Sequence, residues 1–234
     1  MRKTVFFIAA LFFCTVAHAQ YFCPNNGTEL HYVNYDDAGQ SISETTVSVR
    51  NVTEEGSKLS AQYFAKIVTN KEKNNTSYTL YDWTYEEGNT VCTEDLMYGP
   101  YIDSDSDPKK YDEKARESMR EERKFKGDNA FTLRRDAKAG ETMPDRSYSL
   151  VLNMLKNDVS ITGATYMGDE QVSTRAGKFS CVKISYLKRT KILLKSETLR
   201  IVEWYAEGIG LVKSESFNTK GEPEGKTLLV KIVK

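Results

Sequence analysis

Apolar and polar residues alternate at every second position along most of this chain, and stretches with a 3.6-residue apolar period are scarce. Antiparallel strands with one buried face produce that pattern. His31 to Tyr35, the turn Asp36-Asp37-Ala38-Gly39 and then Ile42 to Val52 read as strand, turn, strand, with Gly39 free to adopt a positive φ. Leu59 to Val68 and Ser77 to Tyr85 follow, separated by the polar turn Asn70 to Asn75. Phe131 to Leu133, Ser147 to Leu155, Val159 to Tyr166, Phe179 to Leu187, Ile192 to Trp204, Leu211 to Phe217 and Lys226 to Val233 extend the series. The expected fold is all-β: one domain over residues 20–234, built as a strongly curved antiparallel sheet or partly open β-barrel. Rolling the sheet hides its edges and can enclose a cavity.

Two segments depart from the alternation. Tyr111 to Lys124 is charged, rich in helix formers, and carries Tyr111, Ala115 and Met119 at four-residue spacing, which predicts one short accessory helix. Asp107 is placed to cap it and Pro108 to occupy its first position. Residues 1–19 read as a cleavable export signal: Arg2 and Lys3 precede an apolar run, Thr4 to Val16, that is too short to span a bilayer, and Ala17-His18-Ala19 presents small residues before Gln20. Phe12 and Phe13 before Cys14 argue against a lipoprotein cleavage site. No later apolar run reaches the ~20 residues of a transmembrane helix. The expected location is the periplasm or the cell surface.

Charge then narrows the partners. The full chain has 33 Lys plus Arg and 33 Asp plus Glu, and without its signal the chain is slightly acidic, so nucleic acid is not an expected partner. The charge is unevenly placed, with ten acids and two Lys in Asp82 to Glu113 against seven cations and one Glu in Lys178 to Arg200. Both runs are expected as solvated faces. Cys23, Cys92 and Cys181 follow the signal. An odd number in an oxidising compartment allows one disulfide and one free thiol, and flanking turn residues favour Cys23 with Cys92 among the pairings left open.

The search for chemistry mostly excludes. His31 is the sole histidine after the signal, which rules out a two-histidine metal site within one subunit and leaves a Ser-His-Asp triad only a strand residue to use. There is no Gly-x-Ser-x-Gly elbow, phosphate loop or dinucleotide fingerprint. Asp103-Ser104-Asp105-Ser106-Asp107 begins like a calcium loop, but Pro108 and Lys114 stand where the loop needs Gly and its closing Glu. Glu203 and Glu207 flank an aromatic run, and paired surface acids account for them more simply than a glycosidase does. Alternation sets Tyr81, Trp83 and Tyr85 on one face of a strand, either as a stacking platform or as sheet core.

Four motifs carry a resemblance. Asn26-Gly27-Thr28-Glu29-Leu30 with Tyr35 to Gly39, the turn Ala139-Gly140-Glu141-Thr142-Met143-Pro144-Asp145, the segment Ala176 to Cys181, and above all Glu203-Trp204-Tyr205-Ala206-Glu207-Gly208-Ile209-Gly210-Leu211-Val212-Lys213-Ser214-Glu215 are similar to exported Bacteroides-type proteins of domain-of-unknown-function family 3108. The resemblance implies an envelope-located antiparallel β protein without assigned catalytic residues. The charged stretch Asp103 to Lys124 departs from the family pattern.

The functional expectation is a non-enzymatic module, without cofactor or metal, that binds an apolar or amphiphilic, lipid-like ligand through Tyr81, Trp83, Tyr85 and Trp204. The alternative is an envelope scaffold whose sheet is solid core and whose Asp103 to Lys124 insertion meets a protein partner. A cavity of roughly 300 Å³ or more favours the first.

Overall fold

A computed structural model describes residues 20–70, 76–95, 123–152 and 155–234. Thirteen strands form one antiparallel sheet. The first seven are β1 (Glu29–Asp36), β2 (Ser41–Glu55), β3 (Lys58–Thr69), β4 (Thr76–Glu86), β5 (Asn89–Glu94), β6 (Arg123–Gly127) and β7 (Phe131–Arg134). The other six are β8 (Arg146–Leu152), β9 (Leu155–Thr174), β10 (Gly177–Ile192), β11 (Lys195–Ala206), β12 (Gly210–Phe217) and β13 (Pro223–Val233). Their spatial order is β6-β8-β9-β10-β11-β12-β13-β1-β2-β3-β4-β5-β7.

That order forces the sheet to roll. Its two outermost strands, β6 and β7, are consecutive in the chain and joined by Asp128, Asn129 and Ala130 alone. Laid flat, a sheet of this width would hold them roughly 58 Å apart at ~4.8 Å per strand, whereas the connection reaches no more than about 14 Å. Polar contacts close the seam instead of a full ladder. In the connection, Asp128 N–H extends the β6–β8 ladder by donating to Ser147 O, and the Asn129 side chain ties it to β5 by donating to Glu94 O at 2.7 Å. Segment 140–143 pairs with Ala164 to Tyr166, and the Arg134 amide donates to the Tyr166 hydroxyl at 2.8 Å. The motif around Gly140 is therefore the clasp of the rolled sheet.

Alternation sorts the side chains between the two faces. The concave face collects Leu30, Tyr32, Val47, Val49, Ala61, Tyr63, Trp83, Leu133, Tyr166, Ile184, Tyr205 and Leu229 into one buried cluster. A smaller cluster of Val172, Cys181, Val202, Trp204, Ala206 and Val212 lies on the opposite face. Gln20 to Cys23, before β1, are buried and close one end: Gly208 N–H donates to Gln20 O, Tyr21 N–H to Thr90 Oγ1, and Cys23 N–H to the Tyr63 hydroxyl.

Two hairpin turns, one at Asp36 and one at Asn218, share one geometry. Gln40 N–H donates to Asp36 Oδ1 and Glu222 N–H donates to Asn218 Oδ1, with Gly39 and Gly221 at positive φ. They stand at the same end of the sheet, one after β1 and the other before the adjacent β13.

Sequence expectations need correction in several places. No helix occurs among the described residues, and Arg123 and Lys124, expected to end one, begin β6. The rest of Tyr111 to Lys124, like the signal and the Asp103 to Asp107 run, lies outside the described residues. The three cysteines among the described residues are free: Cys23 in the closing segment and Cys92 of β5 pack with the concave cluster without bonding, and Cys181 lies in the cluster on the opposite face.

Candidate functional site

The rolled sheet does not fill itself. Above Phe22 and Trp83 a cavity of about 340 Å³ remains, and its wall is drawn from strands on both sides of the sheet. Tyr63 and Ala65 of β3, Tyr81 and Trp83 of β4, and Val47 and Tyr32 supply apolar surface. Small side chains at inward positions, such as Ala65 and Thr45, leave the space that bulkier residues would occupy. Trp83 forms the floor: its ring lies 5.9 Å from Phe22, 5.6 Å from Tyr63 and 6.4 Å from Tyr205, centroid to centroid. Tyr63 is held upright by donating to Ile209 O at 3.2 Å, and Tyr32 by donating to Leu211 O at 2.9 Å.

The wall is apolar with one polar patch. Glu203 projects inward from β11 and takes a hydrogen bond from the Tyr205 hydroxyl at 2.9 Å, with Tyr186 near its carboxyl. What surface it retains faces the cavity. Burial raises its carboxyl above the ordinary carboxylate range, only partly opposed by the two tyrosines, Lys188 and Arg146. Glu94 is also raised by burial, against the pull of Lys188. Burial likewise pushes up the Cys92 thiol and the Tyr81 and Tyr205 hydroxyls, and the neighbouring carboxylates add to the effect. A thiol kept protonated is a poor nucleophile, so Cys92 belongs to the wall. Towards the far end Asn34 donates to Ser43 Oγ and Thr45 Oγ1 and accepts from Thr227 at 2.7 Å, giving the chamber a polar collar.

The four residues singled out from sequence are divided. Tyr81 and Trp83 line the cavity. Tyr85 is buried on the same face, nearer the closing segment and outside the lining, where it pairs with Leu59 and Thr90. Trp204 points to the opposite face, where the ammonium groups of Lys183 and Lys213 stand 5.0 and 4.2 Å from its ring centre. Parity decides this: if Trp204 faces out, Glu203 and Tyr205 must face in. Sequence reasoning had placed Glu203 on the surface, and the alternation around Trp204 was the signal that could have found it. Glu207 is exposed in the β11–β12 turn.

The model of the DUF3108-like family matches residues 25–229. Among solved structures, a Bacteroides fragilis protein described as exported and as having a YmcC-like fold superposes with a TM-score of 0.70 at 20% identity, covering 92% of this chain and 100% of the other. A Parabacteroides distasonis protein described as a lipoprotein superposes with a TM-score of 0.71 at 17% identity, covering 92% and 99%. No curated protein matches the chain. These likenesses establish a shared rolled-sheet fold.

Proposed function

Because the chain belongs to the DUF3108-like family, a family without an assigned activity, we propose its function from the cavity: it is an exported, non-enzymatic binding module for an apolar or amphiphilic ligand. The supporting observation is the chamber of about 340 Å³ walled by Tyr81, Trp83, Tyr63, Val47 and Ala65, which is within the size range of small-molecule sites. Glu203 with Tyr205 gives such a ligand one polar anchor, and the Asn34 collar gives it polar surface at the far end. An acyl chain with a hydroxyl or amine end fits this distribution. Export is supported by the pattern of residues 1–19 and by similar proteins described as exported and as a lipoprotein.

Native mass spectrometry of protein purified from its own host tests the reading. A small-molecule mass that is present on the folded protein and released on unfolding is expected. The Ala65→Phe variant, whose ring would occupy the chamber, should lose that mass while remaining folded. A bare chain mass from the host would move the assignment to an envelope scaffold that meets protein partners.

A further inference from the structure

The β10–β11 hairpin ends in residues that its backbone disfavours. Ile192 pairs with Lys195, so the turn consists of Leu193 and Leu194 alone, and Leu193 takes a φ of +54°. Two-residue turns of this kind select Asn, Asp or Gly, because a positive φ strains other side chains. Burial gives nothing back: Leu194 is 99% exposed, Leu193 63% and Ile192 46%. An apolar tip held out at a conformational cost is expected to meet a surface outside the chain.

The tip also stands clear of part of the fold. Lys195 to Leu199 lie beyond the last ladder pair of β11 with β12, Arg200 with Phe217, so on that side the hairpin projects roughly 16 Å at ~3.3 Å per residue. Its surroundings are cationic. Lys195 flanks the turn, and Arg189 and Lys191 of β10 join Lys124 and Lys126 of β6 and Lys156 of β9 around a shallow basin of about 870 Å³. Asp158 is the one acid in that lining and is paired with Lys156 at 2.7 Å. Beside the turn itself the acid is Glu197.

We infer that this hairpin tip docks on an anionic lipid bilayer, with Leu193 and Leu194 entering the boundary between headgroups and acyl chains and the surrounding cations meeting lipid phosphates. Several cations spread across neighbouring strands around an apolar tip complement a diffuse anionic interface better than they complement a single acidic side chain on a protein. The inference does not rest on the cavity being occupied.

Flotation with phosphatidylcholine vesicles, with and without phosphatidylglycerol, at low and high salt, tests it with the whole protein. The wild type should float with the phosphatidylglycerol vesicles and be released by salt. Leu193→Gly with Leu194→Asn installs a sequence suited to a turn whose first residue alone has positive φ, so the fold is retained, and vesicle partitioning should fall at least about tenfold. Lys191→Glu with Lys195→Glu should remove the preference for phosphatidylglycerol. Wild-type protein that ignores anionic vesicles, or a double turn variant that floats as well as wild type, would overturn the inference and leave the tip to a protein partner. Ala65→Phe should float normally, which separates this result from any result on the cavity.

Discussion

At the scale of single residues, Glu203 couples the cavity to pH. Its carboxyl titrates above the ordinary value of 4.5 because it is buried, so the folded protein keeps a proton that the unfolded chain has already lost. Stability therefore falls as pH rises from about 4.5 through the raised value, and below 4.5 the penalty is absent. Glu203→Gln, which can still accept from Tyr205, should melt higher than wild type near neutral pH, with the gain shrinking as pH approaches 4.5. Melting temperature followed across pH for both proteins checks this, and a constant difference would contradict it. Glu94, raised in the same sense, should leave the variant a residual slope. Half of this site was legible from alternation: Tyr81 and Trp83 share a face because their spacing is even, and that face is concave. Glu203 was missed because a charged residue normally marks the wet side, and taking Trp204 as an inward contact put its neighbour Glu203 outward by parity.

At the scale of elements, the seam concentrates the constraints. Gly127 has a φ of +109°, and a Cβ there would overlap the Ser147 carbonyl and lie 2.8 Å from Tyr148 Cα. Gly127→Ala should destabilise the protein by about 2 kcal/mol or more, read by chemical denaturation, since both backbone strain and overlap act against it. Tyr166→Phe removes the hydroxyl that accepts the Arg134 amide inside a residue only 1% exposed. Its expected cost is about 1–2 kcal/mol, with faster amide exchange at Arg134 than elsewhere in β7. Long strands with clean alternation were readable from sequence, as was the Asp36 turn, whose side chain caps its own backbone. β5 and β6 were not, because five- or six-residue strands rich in Thr, Asn, Lys and Arg carry little apolar signal. The β10–β11 boundary was hidden for the opposite reason: Leu193 and Leu194 read as strand, and only the backbone shows them turning.

At the scale of the whole molecule, the sheet is two strand arrays joined where β1 lies against β13. Leu229 of β13 is fully buried, and every residue of β1 has a partner on that strand. Removing residues 223–234 should leave β1 and β12 with open edges and yield aggregated protein, which solubility and size-exclusion chromatography would show. After removal of residues 1–19, three thiols per chain should react with a thiol reagent in denaturant, and Cys92 and Cys181 should resist it in the native state. The curvature was legible only as an expectation; the order that requires it, with the first and last strands adjacent and β6 reached from β7 by three residues, depends on contacts far apart in sequence that periodicity does not encode. This adjacency also sets a timetable. If the chain emerges from an export channel amino end first, β1 arrives well before its partner β13 and must wait for it, its outer edge exposed while the strands between them pass. The interval between those two arrivals is when the protein is most open to mispairing, and a chaperone that shields strand edges would have its greatest effect there.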